Sequence, residues 1–141
     1  MARIEIKMPE TYLFETCLDV RISDINYGNH LGHDAFVSLL HEARIRFLKN
    51  MGYSEIDVEG KSIIISDLAV TYKSQVFHGD TLKIEIAGGD VNKYGCDLFY
   101  RVTRMENGTR VLAAKTGLVF FDYAASKVAP IPGPFIEKLK L

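Results

Sequence analysis

The stretch D-I-N-Y-G-N-H-L-G-H-D-A-F-V-S-L-L-H-E-A-R, residues Asp24–Arg44, decides how this chain folds. It passes from a turn rich in Asn, Gly and His into a strongly apolar helix. A helix start carries unpaired backbone N–H groups and the positive end of the helix dipole. Such groups can bind a carbonyl oxygen that gains negative charge during a reaction. This stretch is therefore the first place to look for a functional site.

The helix is predicted to run from His33 or Asp34 to Asn50, with Gly52 just beyond its end. Its apolar residues recur at helical spacing and form one stripe: Phe36, Leu39, Leu40, Ala43, Phe47 and Met51. Val37 and Leu48 widen the stripe, so we expect the helix to be mostly buried.

Strands are predicted both before and after this helix in the sequence. Tyr12–Ser23 alternates between apolar and polar residues, which indicates a strand before it. After a polar connection, four more strands are predicted: Ile63–Tyr72, Thr81–Ala87, Tyr94–Met105 and Arg110–Tyr123. The last of these is apolar on both faces, which places it in the interior of a sheet. The sequence Glu106–Thr109 predicts a hairpin turn, and the prolines between positions 130 and 134 argue against regular structure before Phe135.

One long helix among antiparallel strands predicts an α+β fold. A helix this apolar must be covered over most of its circumference. A curved antiparallel sheet of about five strands, wrapped around the helix, satisfies that need with one core. The 141 residues are one domain's worth, so we expect a single domain over residues 1–141.

Charge and composition exclude several classes of function. The net charge is −1 and no run of like charges occurs, so nucleic acid and anionic membranes are not expected partners. No apolar run is long enough to span a bilayer, and the N-terminus lacks the apolar region of a signal peptide. Cys17 and Cys96 lie in strand-like segments without a CxxC motif, which predicts buried thiols in a reducing compartment. We therefore expect a cytoplasmic protein.

Four marks in order point to one family: Val20–Phe36, His41–Arg44 (H-E-A-R), Val70–Asp80 (V-T-Y-K-S-Q-V-F-H-G-D), and the strand pair Tyr94–Arg104 with Val111–Asp122. Together they resemble the hotdog-fold acyl-CoA thioesterases of the 4-hydroxybenzoyl-CoA thioesterase-like branch. The resemblance implies the hotdog fold and hydrolysis of an acyl-CoA substrate. It also implies a homodimer or homotetramer with sites between subunits at the start of the central helix, and no metal or redox cofactor.

The resemblance places a catalytic carboxylate in the turn and a backbone N–H at the helix start on the thioester carbonyl. Against the family's D-x-D turn, the first aspartate is Asp24, but the catalytic position falls on Asn26. An amide is neither a useful base nor a nucleophile, although it donates and accepts hydrogen bonds. Asn26 is therefore expected to hold the substrate carbonyl or a water, or else to bond within its own turn.

The missing base is sought on the helix. Another hotdog branch resembles this arrangement and pairs an Asn in the turn with a helix carboxylate, which predicts Glu42 as the base and Asp34 as second choice. The alternative for Glu42 is an i,i+4 ion pair with Arg46. The alternative for Asp34 is a first-turn acid at the helix start. Asp24 is expected to anchor the turn rather than act as the base.

Four histidines complete the set of polar groups. The N–H of His33 is the best candidate for polarising the carbonyl, and its imidazole could assist proton transfer. His30 is a weaker candidate for a role at the site. By helical angle His41 lies on the side of Asp34, so a structural pairing of those two is expected, and His78 is expected to serve only its turn.

The residues of the turn also bear on whether it could bind a metal ion. A calcium-binding EF-hand loop starting at Asp24 would need Gly at position 29 and Glu at position 35, where Asn29 and Ala35 stand. Neither cysteine is near enough to complete a zinc set, so no metal site is predicted. The loss of the catalytic Asp at position 26 keeps one rival open, a hotdog protein that binds an acyl thioester without hydrolysing it. A hydratase-type hotdog enzyme is a third possibility, but its Asp and His motif is absent.

Overall fold

A computed structural model describes residues 2–141 of the chain. The helices and strands follow in the order β1 (Phe14–Asp19), α1 (His33–Asn50), β2 (Ser62–Tyr72), β3 (Thr81–Gly89), β4 (Gly95–Arg104), β5 (Arg110–Asp122), β6 (Lys127–Val128) and α2 (Gly133–Lys138). This order confirms the predicted strand, the long helix and the four strands after it.

The strands form one curved, unclosed antiparallel sheet. Their spatial order is β1-β3-β4-β5-β2, and β6 pairs with the end of β5. The strand β5 lies between β4 and β2, as its two apolar faces predicted. Because β2 is an edge strand, the N–H and C=O groups along its outer side lack a partner strand within residues 2–141.

The helix α1 packs against one face of this sheet. Its predicted stripe is buried except for Met51, which is half-buried, and Phe47 and Leu48 are only 1% and 0% exposed. The prediction of a mostly buried helix holds for one side only, because Val37 and Ile45 remain 39% and 38% exposed. The sheet of a single protomer covers one flank of the helix and leaves the other uncovered.

The first strand ends at Asp19, four residues earlier than the predicted end. A 3₁₀ turn over Ile22–Asp24 follows, and the side chain of Ile22 is exposed rather than inward. The carboxylate of Asp24 is buried and accepts a hydrogen bond from the Arg21 backbone N–H at 2.9 Å. This local side-chain bond overrides the alternating pattern of the sequence, and it gives Asp24 the anchoring position expected of it.

Two smaller predictions were wrong. Cys17 is exposed because it lies on the outward side of the edge strand β1, whereas Cys96 is buried as predicted. The helix α2 begins at Gly133, two residues before the predicted limit, because a proline is compatible with the first turn of a helix. The hairpin turn after β4 is confirmed, with Gly108 at a φ of 70°.

None of the helices within residues 2–141 combines the length and apolarity needed to cross a membrane.

Candidate active site

The turn before α1 is closed by its own backbone. The N–H of Asn26 donates to the carbonyl oxygen of His30 at 3.0 Å, and that of Asn29 donates to Asn26 at 3.1 Å. Asn29 adopts a φ of 64°, which asparagine tolerates better than most residues. The N–H of Gly32 then donates to the carbonyl oxygen of Asp24 at 3.2 Å. These bonds fix the point at which the helix starts.

The two polar atoms of the Asn26 side chain point to different places, Oδ1 to the turn and Nδ2 to the helix start. Its Oδ1 accepts a hydrogen bond from the Gly28 N–H at 2.9 Å, so the predicted bond within the turn is present. Its Nδ2 faces Gly32, where an added Cβ would lie 3.7 Å from that nitrogen and 2.6 Å from Asp34 Oδ1. The amide N–H₂ group and the Asp34 carboxylate therefore flank the same small residue.

The first turn of α1 has free backbone donors. Gly32 occupies the N-cap position and supplies no side-chain cap. Within residues 2–141, the N–H groups of His33 and Asp34 have no hydrogen-bond partner. Both side chains are exposed. Three of the four predicted site residues thus lie together around this helix start: Asn26, His33 and Asp34.

Tyr72 also belongs to this cluster, although it was not predicted from the sequence. Its hydroxyl donates to the carbonyl oxygen of His33 at 3.2 Å, and its ring lies 5.5 Å from the Phe36 ring. Partial burial raises the pKa of Tyr72, and the nearby charge of Asp34 raises it further, so the phenol stays protonated. One feature of the sequence could have indicated this contact. Tyr72 and Val70 are two residues apart in β2, so both side chains lie on the side of the strand that faces the helix.

Glu42 lies on the other flank of α1. Its carboxylate is 3.0 Å from Arg46 Nε, which is the i,i+4 ion pair foreseen as its alternative. Arg46 also donates to Thr16 Oγ1 and to the Cys17 carbonyl oxygen, both on β1. Within one protomer Glu42 therefore faces β1, away from Asn26, and its catalytic role stays a prediction.

A polar network lies at the middle of α1, on its β2 side. His41 Nε2 is 2.7 Å from Glu55 Oε1, and Arg44 Nε donates to Glu55 Oε2 at 3.0 Å. Arg44 Nη1 donates to the Tyr100 hydroxyl at 3.2 Å, and that hydroxyl lies 2.7 Å from Thr116 Oγ1. Arg44, Tyr100 and Thr116 are all buried. Charged groups are therefore brought into the core in a connected chain.

The expected pairing of His41 with Asp34 was wrong, because the partner of His41 is Glu55. Glu55 comes from the connection between α1 and β2, and a helical wheel cannot reveal a contact of that kind. Burial tends to raise the pKa of the Glu55 carboxyl, but the hydrogen bonds from His41 and Arg44 and their charges lower it by more. The net lowering of its pKa keeps Glu55 anionic at neutral pH.

His41 also lines a cavity of about 260 Å³ between α1 and β2. The apolar lining residues are Val37, Leu40, Ile65 and Leu68. The polar ones are Ser38, His41, Arg44 and Thr116. Val37 and Leu68 are 39% and 43% exposed, so the cavity reaches the surface beside the free edge of β2.

A larger cavity, of about 810 Å³, lies elsewhere. It is lined by the N-terminal segment and by Thr71, which alternates with Tyr72 along β2 and therefore faces away from α1. Ala113, the partner of Thr71 on β5, also lines it. The volume of a cavity alone does not identify the functional site in this protein. Convergent polar groups do so better, and they occur at the start and middle of α1. In the part of the chain that the structure describes, no three His, Cys, Asp or Glu side chains converge as metal ligands.

The family model of the thioesterase-like superfamily matches residues 20–139, which include the turn, α1 and every later strand. The chain belongs to the thioesterase-like superfamily. The resemblance drawn from the sequence is thereby confirmed at the level of the family.

Solved structures of similar proteins show the same fold. The 1,4-dihydroxy-2-naphthoyl-CoA thioesterase Slr0204 from Synechocystis matches with a TM-score of 0.81 and 18% identity, over 90% of this chain and 95% of that one. SAV2348 from Staphylococcus aureus, solved in complex with CoA, matches with a TM-score of 0.81 and 17% identity, over 96% and 86%. Both likenesses confirm the hotdog fold.

A curated relative from Synechocystis sp., sll0410, is named only provisionally as an esterase. It is 23% identical to this superfamily member over 127 residues, which make up 89% of this chain and 76% of that protein.

Proposed function

We propose that this protein hydrolyses an acyl-CoA thioester to a free acid and CoA. The observation that carries the proposal is the start of α1, where the unpartnered N–H of His33 lies beside the amide of Asn26 in a thioesterase-like chain. Attack by water places negative charge on the carbonyl oxygen before the C–S bond breaks. Fixed donors at that oxygen stabilise the transition state more than the substrate.

Each residue of the helix start has a role in this proposal. The His33 N–H and the dipole of α1 bind the carbonyl oxygen. Asn26 Nδ2 donates a second hydrogen bond, either to that oxygen or to the attacking water. Tyr72 holds the His33 carbonyl group and so fixes the first turn relative to β2.

A general base must also take a proton from water. The sequence predicts a carboxylate on α1 for this step, with Glu42 first and Asp34 second. Within one protomer the position of Asp34 supports it better, because Asp34 lies beside Asn26 while Glu42 is paired with Arg46. The amide variants Glu42→Gln and Asp34→Asn test each carboxylate.

We further propose that the active unit is a homodimer, or a homotetramer built from such dimers, with substrate between subunits. The support comes from β2, an edge strand whose outer side is free and whose Ile64 and Leu68 side chains are exposed. The uncovered Val37 and Ile45 of α1 also remain exposed in a single protomer. Antiparallel pairing of two β2 edges about a two-fold axis would extend the sheet and cover these groups.

The acyl-CoA substrate brings three phosphate groups, which need cations. Lys73 follows Tyr72 directly at the end of β2, and Arg110 lines the same cavity as Lys73. Neither cation is part of an ion pair within residues 2–141. We assign them to the CoA phosphates. The mechanism uses no metal and no redox cofactor, and a cytoplasmic location belongs to the same proposal.

Free-thiol release from a panel of short, long and aromatic acyl-CoAs tests the function. The expected result is turnover of at least one member by the purified protein, with none after heat inactivation. If no member of a broad panel releases thiol, hydrolysis is rejected.

Binding without hydrolysis is the second candidate function. It is favoured by the bond from Gly28 to Asn26 Oδ1, which gives position 26 a purely structural reason to be asparagine. In that case an acyl-CoA would raise the melting temperature of the protein without releasing thiol. Activity that appears only in Asn26→Asp would identify a site that has lost its base and now serves to bind.

A further inference from the structure

We propose that His41, held by Glu55, is the general base of this hydrolysis, and that it acts on a thioester bound at the helix start of the partner subunit. This inference rests on the proposed function and names a base different from the two carboxylates that the sequence suggests. It is carried by the contacts of His41, by its cavity, and by its place on α1 relative to β2.

The pair of His41 and Glu55 has the form of a base with its orienting carboxylate. The Nε2 atom is engaged by Glu55 at 2.7 Å, which leaves Nδ1 as the ring nitrogen that can face a substrate. Nδ1 has no hydrogen-bond partner within residues 2–141, and 54% of the side chain is exposed. A carboxylate on one ring nitrogen fixes the tautomer and stabilises the imidazolium that forms when the other nitrogen takes a proton.

The carboxylate of this pair is itself held in place. Glu55 Oε2 accepts a hydrogen bond from Arg44, whose side chain is only 8% exposed. Arg44 is in turn fixed by the hydroxyl of Tyr100 inside the core. Burying such charges costs desolvation free energy, and replacement by apolar residues is often neutral or stabilising. A functional demand for a fixed Glu55 accounts for the network better than stability does.

One protomer cannot bring His41 to its own helix start. His33 and His41 are eight residues apart on α1, which corresponds to about 12 Å along the axis. A single carbonyl group cannot contact the N–H of His33 and the ring of His41 over that distance. Two copies of the chain remove the difficulty.

Pairing of two β2 edges determines where the second copy lies. Full-length antiparallel pairing of Ser62–Tyr72 with itself places the two-fold axis at the middle of the strand, next to Leu68. Leu68 shares its cavity with Val37, which is midway between His33 and His41 on the helix. An axis at this level sets the helix start of one protomer opposite the partner's His41.

The two carboxylates fit this arrangement less well. Glu42 is directed by Arg46 toward β1, at the far edge of the sheet from β2. Asp34 lies beside the donors that receive the carbonyl oxygen, where its negative charge opposes the charge developing there. His41 brings no negative charge of its own to that point.

The proposed step balances in atoms and charge. The partner's His41 takes a proton from water at Nδ1 while the water oxygen bonds to the carbonyl carbon. The oxygen that becomes negative is held by the His33 N–H. When the tetrahedral intermediate collapses, the C–S electron pair leaves with sulfur, and the His41 imidazolium returns the proton to that sulfur. The products are the acid and the thiol of CoA.

The first test compares His41→Gln with His78→Gln, the same change at an exposed histidine in a turn outside the proposed site. The expected result is a fall in kcat of about 10²-fold in His41→Gln with little change in KM, and wild-type kinetics in His78→Gln. Glu55→Gln tests the positioning residue, for which we expect kcat to fall about 10-fold at an unchanged KM. Full activity in His41→Gln, with loss in Asp34→Asn or Glu42→Gln, overturns the inference and leaves the proposed function standing.

The second test asks whether the base comes from the partner. Copies carrying His41→Gln and copies carrying Asn26→Ala are co-expressed with different tags, and the mixed dimer is purified through both tags. One of its two sites then contains both intact groups, so its rate should be about half that of the wild type, although each variant alone is nearly inactive. A mixed dimer as inactive as its parents would refute the cross-subunit site.

A third measurement tests the contact between His41 and a bound acyl-CoA without relying on turnover, because the inference falls with the proposed function if the wild type hydrolyses nothing. Diethyl pyrocarbonate modifies exposed histidines, and mass spectrometry locates them. A CoA thioether that cannot be hydrolysed should protect His41 and leave His78 reactive. Equal modification of His41 with and without the thioether would show that His41 does not touch the substrate.

Discussion

Tyr72 donates its hydroxyl to the carbonyl oxygen of His33 over 3.2 Å, and so ties the edge strand β2 to the first residue of α1. In Tyr72→Phe this bond is lost while the ring can still pack on Phe36. We expect kcat/KM to fall about 3- to 10-fold because the first turn is less well fixed. The free energy of unfolding should change by about 1 kcal/mol or less, since the bond is exposed. Tyr123→Phe is the matched control, and an equal loss there would argue against this role for Tyr72.

Gly32 separates the amide of Asn26 from the carboxylate of Asp34. In Gly32→Ala the new Cβ would lie 2.6 Å from Asp34 Oδ1, so the carboxylate must move. The φ of Gly32 is −72°, which alanine adopts without strain, so the protein should remain folded while thiol release falls about 10-fold or more. Gly133→Ala is the control, because nothing lies within 4 Å of a Cβ added there. Unchanged kinetics in Gly32→Ala would mean that these two side chains need not keep their positions.

The hydroxyl of Tyr100 joins Arg44 to Thr116 inside the core. Tyr100→Phe leaves both of those groups without this partner, and we expect the free energy of unfolding to fall by about 1–3 kcal/mol. Urea unfolding with a constant m value measures the change. Tyr53→Phe removes an exposed hydrogen bond to Glu59 and should cost much less. Equal costs in the two variants would contradict a buried, connected network.

Cys96 predicts how stability depends on alkaline pH. Burial raises the pKa of its thiol from 9.0 to about 12, and the charge of Asp97 adds to that shift. The unfolded chain therefore releases this proton at a lower pH than the folded one. The contribution to stability is intact below pH 9 and is lost progressively as the pH rises toward 12. Unfolding in urea at pH 8 and pH 10.5 should show a smaller loss for Cys96→Ala than for the wild type, and parallel losses would reject the assignment.

In the proposed function, Lys73 binds the phosphates of CoA. Reversing its charge in Lys73→Glu should raise KM for acyl-CoA several-fold with little change in kcat, and added salt should reduce the difference from wild type. The matched control is Lys49→Glu, at the far end of α1. If both variants raise KM equally, the effect reflects net charge rather than a phosphate contact at Lys73.

The sequence predicts those parts of the fold that repeat a regular pattern. The stripe from Phe36 to Phe47 has helical spacing, and it is buried as expected because spacing decides which side of a helix is apolar. The two apolar faces of β5 correctly predict an interior strand. The end of β1 was missed, since the carboxylate of Asp24 forms short-range bonds that alternation does not reveal.

The candidate site was predictable only where it is local. Asn26, His33 and Asp34 are close in sequence and are close in space. Glu55 lies 14 residues from His41 and contacts it only because the connection folds back over the helix, so no helical wheel could find the pair. Tyr72 is further still along the chain, and its contact with the helix start depends on how α1 crosses the sheet.

The outer side of β2, which has no partner strand within residues 2–141, also matters for a single chain in solution. Along the outer side of this eleven-residue strand, the backbone groups that lack a partner strand within residues 2–141 form a template to which an extended polypeptide can add. In the dimer that we propose, a second copy covers this edge, and a chain that has not yet found its partner is open to such mispairing. Resistance to heat should therefore rise with the concentration of the protein itself.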